Sequence, residues 1–298
     1  GFHVDQLLFP GLSHLTVVQG RLKSELGRLI VESLSFAVAG GQVSGGVEVA
    51  DAVGGGLAIL LGIEAKGLSA ELLQKMSGGS GLRGGQADLK AHLKLKGNSS
   101  RKLTASVTGE AQLSIANARL EGSGVALERN LIVTLLQALI PGRSKQQALA
   151  ITCGVVRLPF VNGVAVVDRS IAIETEQLAI SASGKIDLVS QRLELAFRPQ
   201  VKKGLGLNQS ALASLVMLKG PLENPDIGID PKGTVYEVAN IGVAVATGGA
   251  SLLASRLIGE WSDTNSCRTA ISGASGSNSQ PARNKVQGWP RRKLAPRD

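Results

Sequence analysis

Few side chains in this 298-residue chain have the types and spacing that catalysis or metal binding requires. The three histidines, His3, His14 and His92, are scattered, and His92 falls on the polar side of an alternating segment. A surface histidine is a better interpretation of each than a metal ligand. The sequence has neither the HExxH pattern of zinc proteases nor the GxSxG turn of serine hydrolases.

A glycine-rich segment at 79–84 has the spacing of a phosphate-binding loop, but it lacks the chemistry. Gly85 and Gln86 follow it where that loop needs Lys and Ser or Thr. The carboxylates best placed for acid–base chemistry lie on turns or on solvent-facing strand positions: Asp168, Glu174, Glu176 and Asp187. The sequence therefore predicts no enzyme, no cofactor and no metal site.

The two cysteines, Cys153 and Cys267, leave two interpretations open. They are too few for a disulfide scaffold and too far apart for a zinc site. Their spacing alone favours two unrelated buried thiols, although two cysteines permit one bridge in an oxidising compartment.

The net charge of +9 is concentrated at the C-terminus. Residues 268–298 carry seven basic residues and one acidic residue, a net charge of +6, which leaves +3 for the rest. This tail is rich in Ser, Gly, Asn and Pro and lacks hydrophobic periodicity, so we predict that it is disordered. Because no part of the body interleaves basic and aromatic residues, nucleic-acid binding is not indicated.

Alternation of apolar and polar residues dominates the body of the chain. In Asp88–Lys96, leucines and an alanine alternate with charged residues and a histidine, as expected for a strand with one solvated face. Gly184–Pro199 repeats the pattern on both sides of a polar turn, and Asn162–Gly163 is a strong hairpin signal. We predict a mainly β protein, a long antiparallel meander forming a curved sheet or groove, with a few short helices packed at its ends.

Three segments have helical spacing instead. Leucines and a methionine recur at this spacing in Leu68–Met76, and further helices are predicted near 128–140 and 234–259. We divide the chain into a β-meander segment at 1–127, a C-terminal module at 128–267 and the basic tail at 268–298.

The apolar side of the predicted strands is compatible with two functions. It could be the buried core of a sandwich or barrel, which the residues alone favour, or it could line a groove for acyl chains. Periodicity cannot distinguish these, because both produce the same alternation.

The order of several weak elements resembles the C-terminal region of the AsmA family of bacterial envelope proteins. Cys153–Phe160 is an apolar segment after a cysteine, and Asn162–Gly163 forms the next turn. The motifs "SASGKIDL" and "LELAFRP" then follow in Ser181–Pro199, and "NSC" ends the module at Asn265–Cys267. The resemblance covers most of residues 28–267.

This resemblance implies a function that the residues alone do not show. The family implies a non-enzymatic protein of the periplasm of a Gram-negative bacterium, anchored in the inner membrane by a segment outside this chain. It would act in outer-membrane biogenesis by conducting phospholipid, or another envelope lipid, along an apolar β-groove. The lipid-facing candidates are Leu93, Leu95, Leu103, Val107, Leu113, Ile115, Ile171, Ile173, Ile180, Ile186, Leu188, Leu193, Leu195 and Phe197.

The resemblance also bears on the cysteines and on possible partners. In a periplasmic protein Cys153 and Cys267 could form a disulfide. An alternative function is a scaffold that assists outer-membrane protein assembly without lipid cargo. Such a scaffold would bind proteins through sheet edges, such as the segment around Pro159, or through the helical face at 127–140.

Overall fold

Thirteen antiparallel strands form a single open sheet in which each strand pairs with its neighbours in sequence. The computed structural model describes residues 1–8, 15–38, 40–52, 55–76, 81–121, 148–176, 178–202, 215–230 and 265–273. The strands are β1 Phe2–Leu7, β2 Leu15–Glu25, β3 Arg28–Val38, β4 Gly41–Asp51, β5 Leu57–Ser69, β6 Leu82–Gly97, β7 Thr108–Leu120, β8 Leu149–Val161, β9 Val164–Thr175, β10 Leu178–Asp187, β11 Arg192–Val201, β12 Leu215–Pro221 and β13 Asp226–Asp230. The predicted mainly β meander is confirmed.

Three short helices accompany the sheet in the described residues. Helix α1, Ala70–Met76, follows β5 directly and packs on β6, which confirms most of the helix predicted at Leu68–Met76. Helix α2, Ser100–Ala105, connects β6 to β7, and helix α3, Ser266–Ser272, packs on β8 and β9 near the middle of the sheet.

Helix α2 was not predicted. Leu103, Ala105 and Val107 alternate with polar residues, a period of two that predicts a strand from the sequence, and the helix shows this prediction to be wrong. The Ser99 side chain accepts a hydrogen bond from the backbone N–H of Lys102, which caps the helix. A serine cap satisfies a backbone donor that would otherwise have no partner. In this short segment the cap stabilises a helix, although three alternating apolar residues favour a strand.

The predicted hairpin turns have the expected backbone geometry. Asn162 and Gly163 connect β8 to β9 with φ angles of 50° and 76°, the left-handed conformation that Asn and Gly tolerate best. In the hairpin of β10 and β11, Ile186 pairs with Leu193 and Ala182 with Phe197. The strand–turn–strand prediction for this segment is therefore confirmed.

Pro159 does not lie at a sheet edge. It belongs to β8, which pairs with β7 on one side and β9 on the other. The β8–β9 register shifts between Val156 and Phe160, so proline occupies an irregular position in a central strand. A proline in a strand indicates either an edge or a bulge, and the register shift fits the bulge; the interpretation of this segment as an edge for partner proteins is wrong.

The sheet continues across the predicted boundary between the two parts of the body. Strands β7 and β8 pair along their lengths, although the boundary at 127–128 and the helix predicted at 128–140 lie outside the described residues. The helix predicted at 234–259 and residues 274–298 of the tail also lie outside them. Residues 268–272 are helical, so the disordered tail was predicted to begin too early.

The close approach of α2 to the β8–β9 turn gives a stability prediction. A Cβ on Gly163 would lie 2.6 Å from the carbonyl oxygen of Ala105, whereas a Cβ on Gly40 would meet nothing within 4 Å, although both glycines have positive φ. We expect Gly163→Ala to lower the free energy of unfolding by about 1–3 kcal/mol more than Gly40→Ala. Urea denaturation measures both, and equal losses would show that the backbone contact is unimportant.

The Asp187 carboxylate stabilises the β10–β11 turn in a pH-dependent manner. Partial burial opposes its ionisation, but hydrogen bonds from Ser190 and the nearby Lys185 ammonium keep its pKa below the ordinary value. A lowered folded-state pKa contributes stability that is present above the unfolded pKa of about 3.9 and is lost as pH falls through the folded value.

We therefore expect Asp187→Asn to cost about 1 kcal/mol of unfolding free energy at pH 7. The difference from wild type should shrink towards zero in acid, because the wild-type carboxyl is then protonated too. Denaturation at a series of pH values measures it, with Glu25→Gln at the exposed end of β2 as a control that should have no effect. A constant difference at all pH values contradicts the assignment.

Candidate functional site: a continuous apolar face

One face of the sheet is apolar from β3 to β13. Paired residues in neighbouring strands share a face, so the register identifies its members. The pairs run from Val31–Val47 and Val47–Leu61 through Leu61–Leu93, Leu89–Leu113, Leu113–Val156, Val156–Ile171, Ile171–Ala182, Ala182–Phe197 and Phe197–Val216 to Leu218–Ile227.

The opposite face is polar over most of the sheet and carries ion pairs between strands. The Glu64 carboxylate lies 3.3 Å from the ammonium groups of both Lys66 and Lys90, and these two cations lower its pKa. Similar contacts join Arg28 to Glu48, Arg157 to Glu110 and Lys219 to Glu194. Exposed pairs of this kind contribute little stability individually, but they keep this face solvated.

Bulges bend several strands without disturbing the apolar face. In β3 and β5, two residues oppose one on the partner strand, at Glu32–Ser33 and at Lys66–Gly67. Ser33 and Gly67 have positive φ, as does Arg169 beside the register shift of β9 and β10. Bulges increase local twist and curvature, so the sheet cannot be flat.

The fourteen predicted lipid-facing residues divide into two groups by burial. Four are core residues: Ile180 is 1% exposed, Leu195 4%, Phe197 5% and Val107 5%. The other ten are half-buried: Leu93, Leu95, Leu103, Leu113, Ile115, Ile171, Ile173, Ile186, Leu188 and Leu193. Leu103 lies on helix α2, and the remaining nine pack against the buried clusters of the apolar face.

The buried residues are concentrated at the C-terminal part of the face. Ile180, Ala182, Leu195, Phe197 and Val216 form one cluster with residues of β7–β9. A smaller cluster of Val107, Phe160 and Ala165 lies where α2 leads into β7, beside half-buried Leu93 and Leu95. A third cluster, with Val38, Ala65, Leu68 and Ala87, lies beside α1, while Leu61, Leu93, Leu113 and Ile173 of the same face stay half-buried.

Sequence analysis missed the residues that strands β4 and β5 contribute to the face. Ile59, Leu61 and Ile63 of β5 pair with Leu95, Leu93 and Ala91 of β6 and are half-buried. Their segment, "LAILLGIEA", has apolar or small residues at nearly every position, which hides the alternation. Counting apolar residues at every second position, and comparing the result with the clear alternation of Asp88–Lys96 on the neighbouring strand, would have identified them.

The described side chains that could do acid–base chemistry are either exposed or paired with a neighbouring charge. His92 is exposed on the polar face, and the exposed His3 ring lies 3.1 Å from Asp5. Asp168 contacts Arg169, Glu174 contacts Lys202 and Asp187 contacts Lys185. His14 and part of the glycine-rich segment at 79–84 lie outside the described residues.

Helix α3 is attached to the polar face by a disulfide and by hydrogen bonds. Cys153 and Cys267 are bonded, with their Cα atoms 6.5 Å apart. The Glu174 carboxylate accepts hydrogen bonds from the backbone N–H of Cys267 and from Lys202. Arg157 donates to the carbonyl oxygen of Ala270 at 3.0 Å. These contacts fix residues 266–272 on β8 and β9.

The same cysteines and Glu174 have ligand atoms within 4.8 Å of one another. Cysteine binds metals as the thiolate, and the two sulfurs are not thiolates while they are bonded to each other. Both oxygens of the Glu174 carboxylate already accept hydrogen bonds. In the bonded state the cluster therefore acts as a structural attachment.

Searches with the sequence and with the structure matched no family model, no curated protein and no solved structure. None of the helices in the described ranges combines the length and the apolar composition that crossing a membrane requires.

The attachment of α3 gives a prediction about stability. The bond closes a loop of 114 residues, for which the chain-entropy model gives a stabilisation of about 4–5 kcal/mol. We expect Cys153→Ala/Cys267→Ala to lose free energy of unfolding up to this amount in denaturant titrations. Reductant should lower the wild type to the level of the variant and leave the variant unchanged. Two free thiols in protein purified from an oxidising compartment would contradict the bond.

Proposed function

We propose that this chain is a non-enzymatic, AsmA-like envelope protein that holds phospholipid acyl chains on the apolar face of its sheet. The observation that carries the proposal is the continuous series of apolar pairs from β3 to β13 on one face, with a charged face opposite. Such a surface offers an alkyl chain continuous contact across strands.

Half-burial of the face supports a ligand over a closed core. The accessible part includes Leu93, Leu95, Leu113 and Ile173, which stay partly exposed in a protein that buries Ile180 and Phe197 almost completely. Covering apolar surface is favourable by about 0.8 kcal/mol for each buried methylene, so an acyl chain of ordinary length would bind through many small contributions. This mode of binding needs no particular polar group.

The disulfide supports the proposed compartment. Structural disulfides persist in oxidising environments such as the bacterial periplasm and are rare in the cytosol. The bond between Cys153 and Cys267 therefore fits a periplasmic protein, and the AsmA resemblance adds an inner-membrane anchor outside this chain. Transport towards the outer membrane follows from the same resemblance.

One feature favours the scaffold function as a second candidate. Strand β1 is the outermost strand of the sheet, and all six of its residues are exposed, including Phe2, Val4 and Leu7. Within the described residues β1 pairs on one side only, and a strand edge with apolar side chains can pair with an extended segment of another protein. A partner bound there would not need the apolar face.

Site-specific crosslinking distinguishes the two functions. We expect a photoreactive residue at Leu95, Leu113 or Ile173 to form adducts with phospholipid when the protein is expressed in the periplasm, because these positions lie on the accessible apolar face. The same residue at His92 or Lys94, exposed on the opposite face of β6, should form few or none. Mass spectrometry of the purified adducts identifies the lipid.

Adducts with protein alone at the three apolar positions would contradict lipid binding. If a photoreactive residue at Val4 then captured a defined protein partner, and no lipid co-purified, the scaffold function would replace the first proposal.

A further inference from the structure

The residues that attach helix α3 to the sheet include three potential metal ligands. Cys153, Glu174 and Cys267 have their ligand atoms within 4.8 Å of one another, and no other three such side chains among the described residues lie so close. Strands β8 and β9 and helix α3 bring them together, although the two cysteines are 114 residues apart in sequence. Reduction of the disulfide produces two thiols, and cysteine binds metals as the thiolate.

The three residues do not depend on the disulfide alone to stay together. The Glu174 carboxylate accepts a hydrogen bond from the backbone N–H of Cys267 at 2.8 Å, and Arg157 donates one to the carbonyl oxygen of Ala270. Cys267 and Ala270 also belong to a buried cluster with residues of β8 and β9. None of these hydrogen bonds involves a sulfur atom, so they keep α3 on the sheet when the disulfide is open.

The backbone positions of the two cysteines suit a tetrahedral zinc ion. Zn–S bonds of about 2.3 Å place two thiolates about 3.8 Å apart, whereas two sulfurs in a disulfide are about 2 Å apart. The Cα atoms of Cys153 and Cys267 are separated by 6.5 Å, near the upper end of the range for a disulfide. Rotation of the two side chains therefore separates the sulfurs far enough without moving the backbone.

The Glu174 carboxylate is already oriented as a third ligand. Each of its oxygens has two lone pairs and accepts one of the hydrogen bonds from Cys267 and Lys202, which leaves lone pairs for a metal. Such hydrogen bonds are common on metal-binding carboxylates and fix their direction. The Lys202 ammonium lies 2.9 Å from Glu174, and its charge balances the excess negative charge of two thiolates and a carboxylate around Zn²⁺.

We propose that the reduced chain binds one Zn²⁺ ion through Cys153, Cys267 and Glu174, with water in the fourth position. A dithiol supplies the two electrons: it is oxidised to its own disulfide, and its two protons pass to the cysteines as the bond between them breaks. Zn²⁺ then binds both sulfurs and displaces these protons to solvent. The mixed sulfur and oxygen ligands favour zinc, which binds thiolates and carboxylates alike. The metal takes over the attachment of α3 while the disulfide is open.

Metal analysis of the full chain tests this proposal. The protein is reduced with a dithiol and stripped of metal by a chelator, both reagents are removed under nitrogen, and Zn²⁺ is added. After free metal is removed, we expect one zinc ion per reduced chain and none per oxidised chain, because the oxidised chain has no thiolates. Co²⁺ in place of zinc should give the thiolate-to-metal absorption of a tetrahedral site.

Three variants assign the ligands. Cys153→Ala/Cys267→Ala should bind no zinc in either condition. Glu174→Gln keeps an oxygen for the N–H of Cys267 but removes the charge of the ligand. It should lower the zinc affinity of the reduced chain about ten- to a hundredfold, the range seen when a metal site loses a supporting group. Glu194→Gln removes another paired carboxylate, the partner of Lys219, and should keep the wild-type affinity.

A stability measurement distinguishes a folded site from thiols that bind zinc in the unfolded chain. A ligand that binds only the folded protein stabilises it by mass action. Zinc should therefore raise the urea midpoint of the reduced wild type and leave the midpoints of the oxidised protein and the cysteine variant unchanged. Zinc that binds without raising this midpoint would overturn the site. Equal binding by the oxidised chain, full affinity in Glu174→Gln or no binding by the reduced chain would overturn it too.

Discussion

Side chains alternate between the two faces of a strand. A continuous apolar face therefore requires that, in every pairing from β3 to β13, the apolar positions of one strand lie opposite the apolar positions of the next. A slip of one residue at β6 and β7 would place Leu89 opposite a polar neighbour and turn part of the face towards the charged side. The ion pairs oppose such slips, because Glu64–Lys90 and Glu194–Lys219 form only in the observed register. Apolar burial on one side and charge pairing on the other thus select the same arrangement.

The bulges satisfy this constraint while the strands bend. Val31 and Leu34 are an odd number of residues apart, yet both lie on the apolar face, because the left-handed conformation of Ser33 absorbs the extra residue. Gly67 does the same between Ala65 and Leu68. A serine in this conformation costs backbone strain, which the surrounding pairings must offset. Curvature is therefore obtained without breaking the apolar stripe.

Much of this fold could be predicted because it depends on local patterns. Strands such as β6 and the β10–β11 hairpin show clean alternation, and Asn162–Gly163 specifies its turn through backbone conformation alone. Helix α2 was not predicted because its formation depends on one capping serine, Ser99. The apolar face of β5 was not predicted because apolar residues occupy both faces of that strand and hide the alternation.

Burial within the apolar face could not be predicted, since it depends on packing between residues distant in sequence. Alternation placed Leu93 and Leu195 in the same class, but Leu93 is half-buried and Leu195 is 4% exposed. The difference arises because Leu195 joins a cluster that spans β7 to β12. The corner where Gly55, the end of β6 and helix α2 meet has the same origin, since it joins residues distant in sequence.

The composition of the face indicates what kind of selectivity it can have. Aromatic residues make up only 3% of the chain, and Phe160 and Phe197 are buried, so the accessible part is mainly aliphatic. Aliphatic surface attracts by area and without direction, and it holds alkyl chains of different length about equally well per methylene. Such a surface lets a chain shift along the strands at little cost, but it cannot recognise a headgroup. A ligand on this face would therefore be selected by the apolar area that it can cover and not by its polar groups.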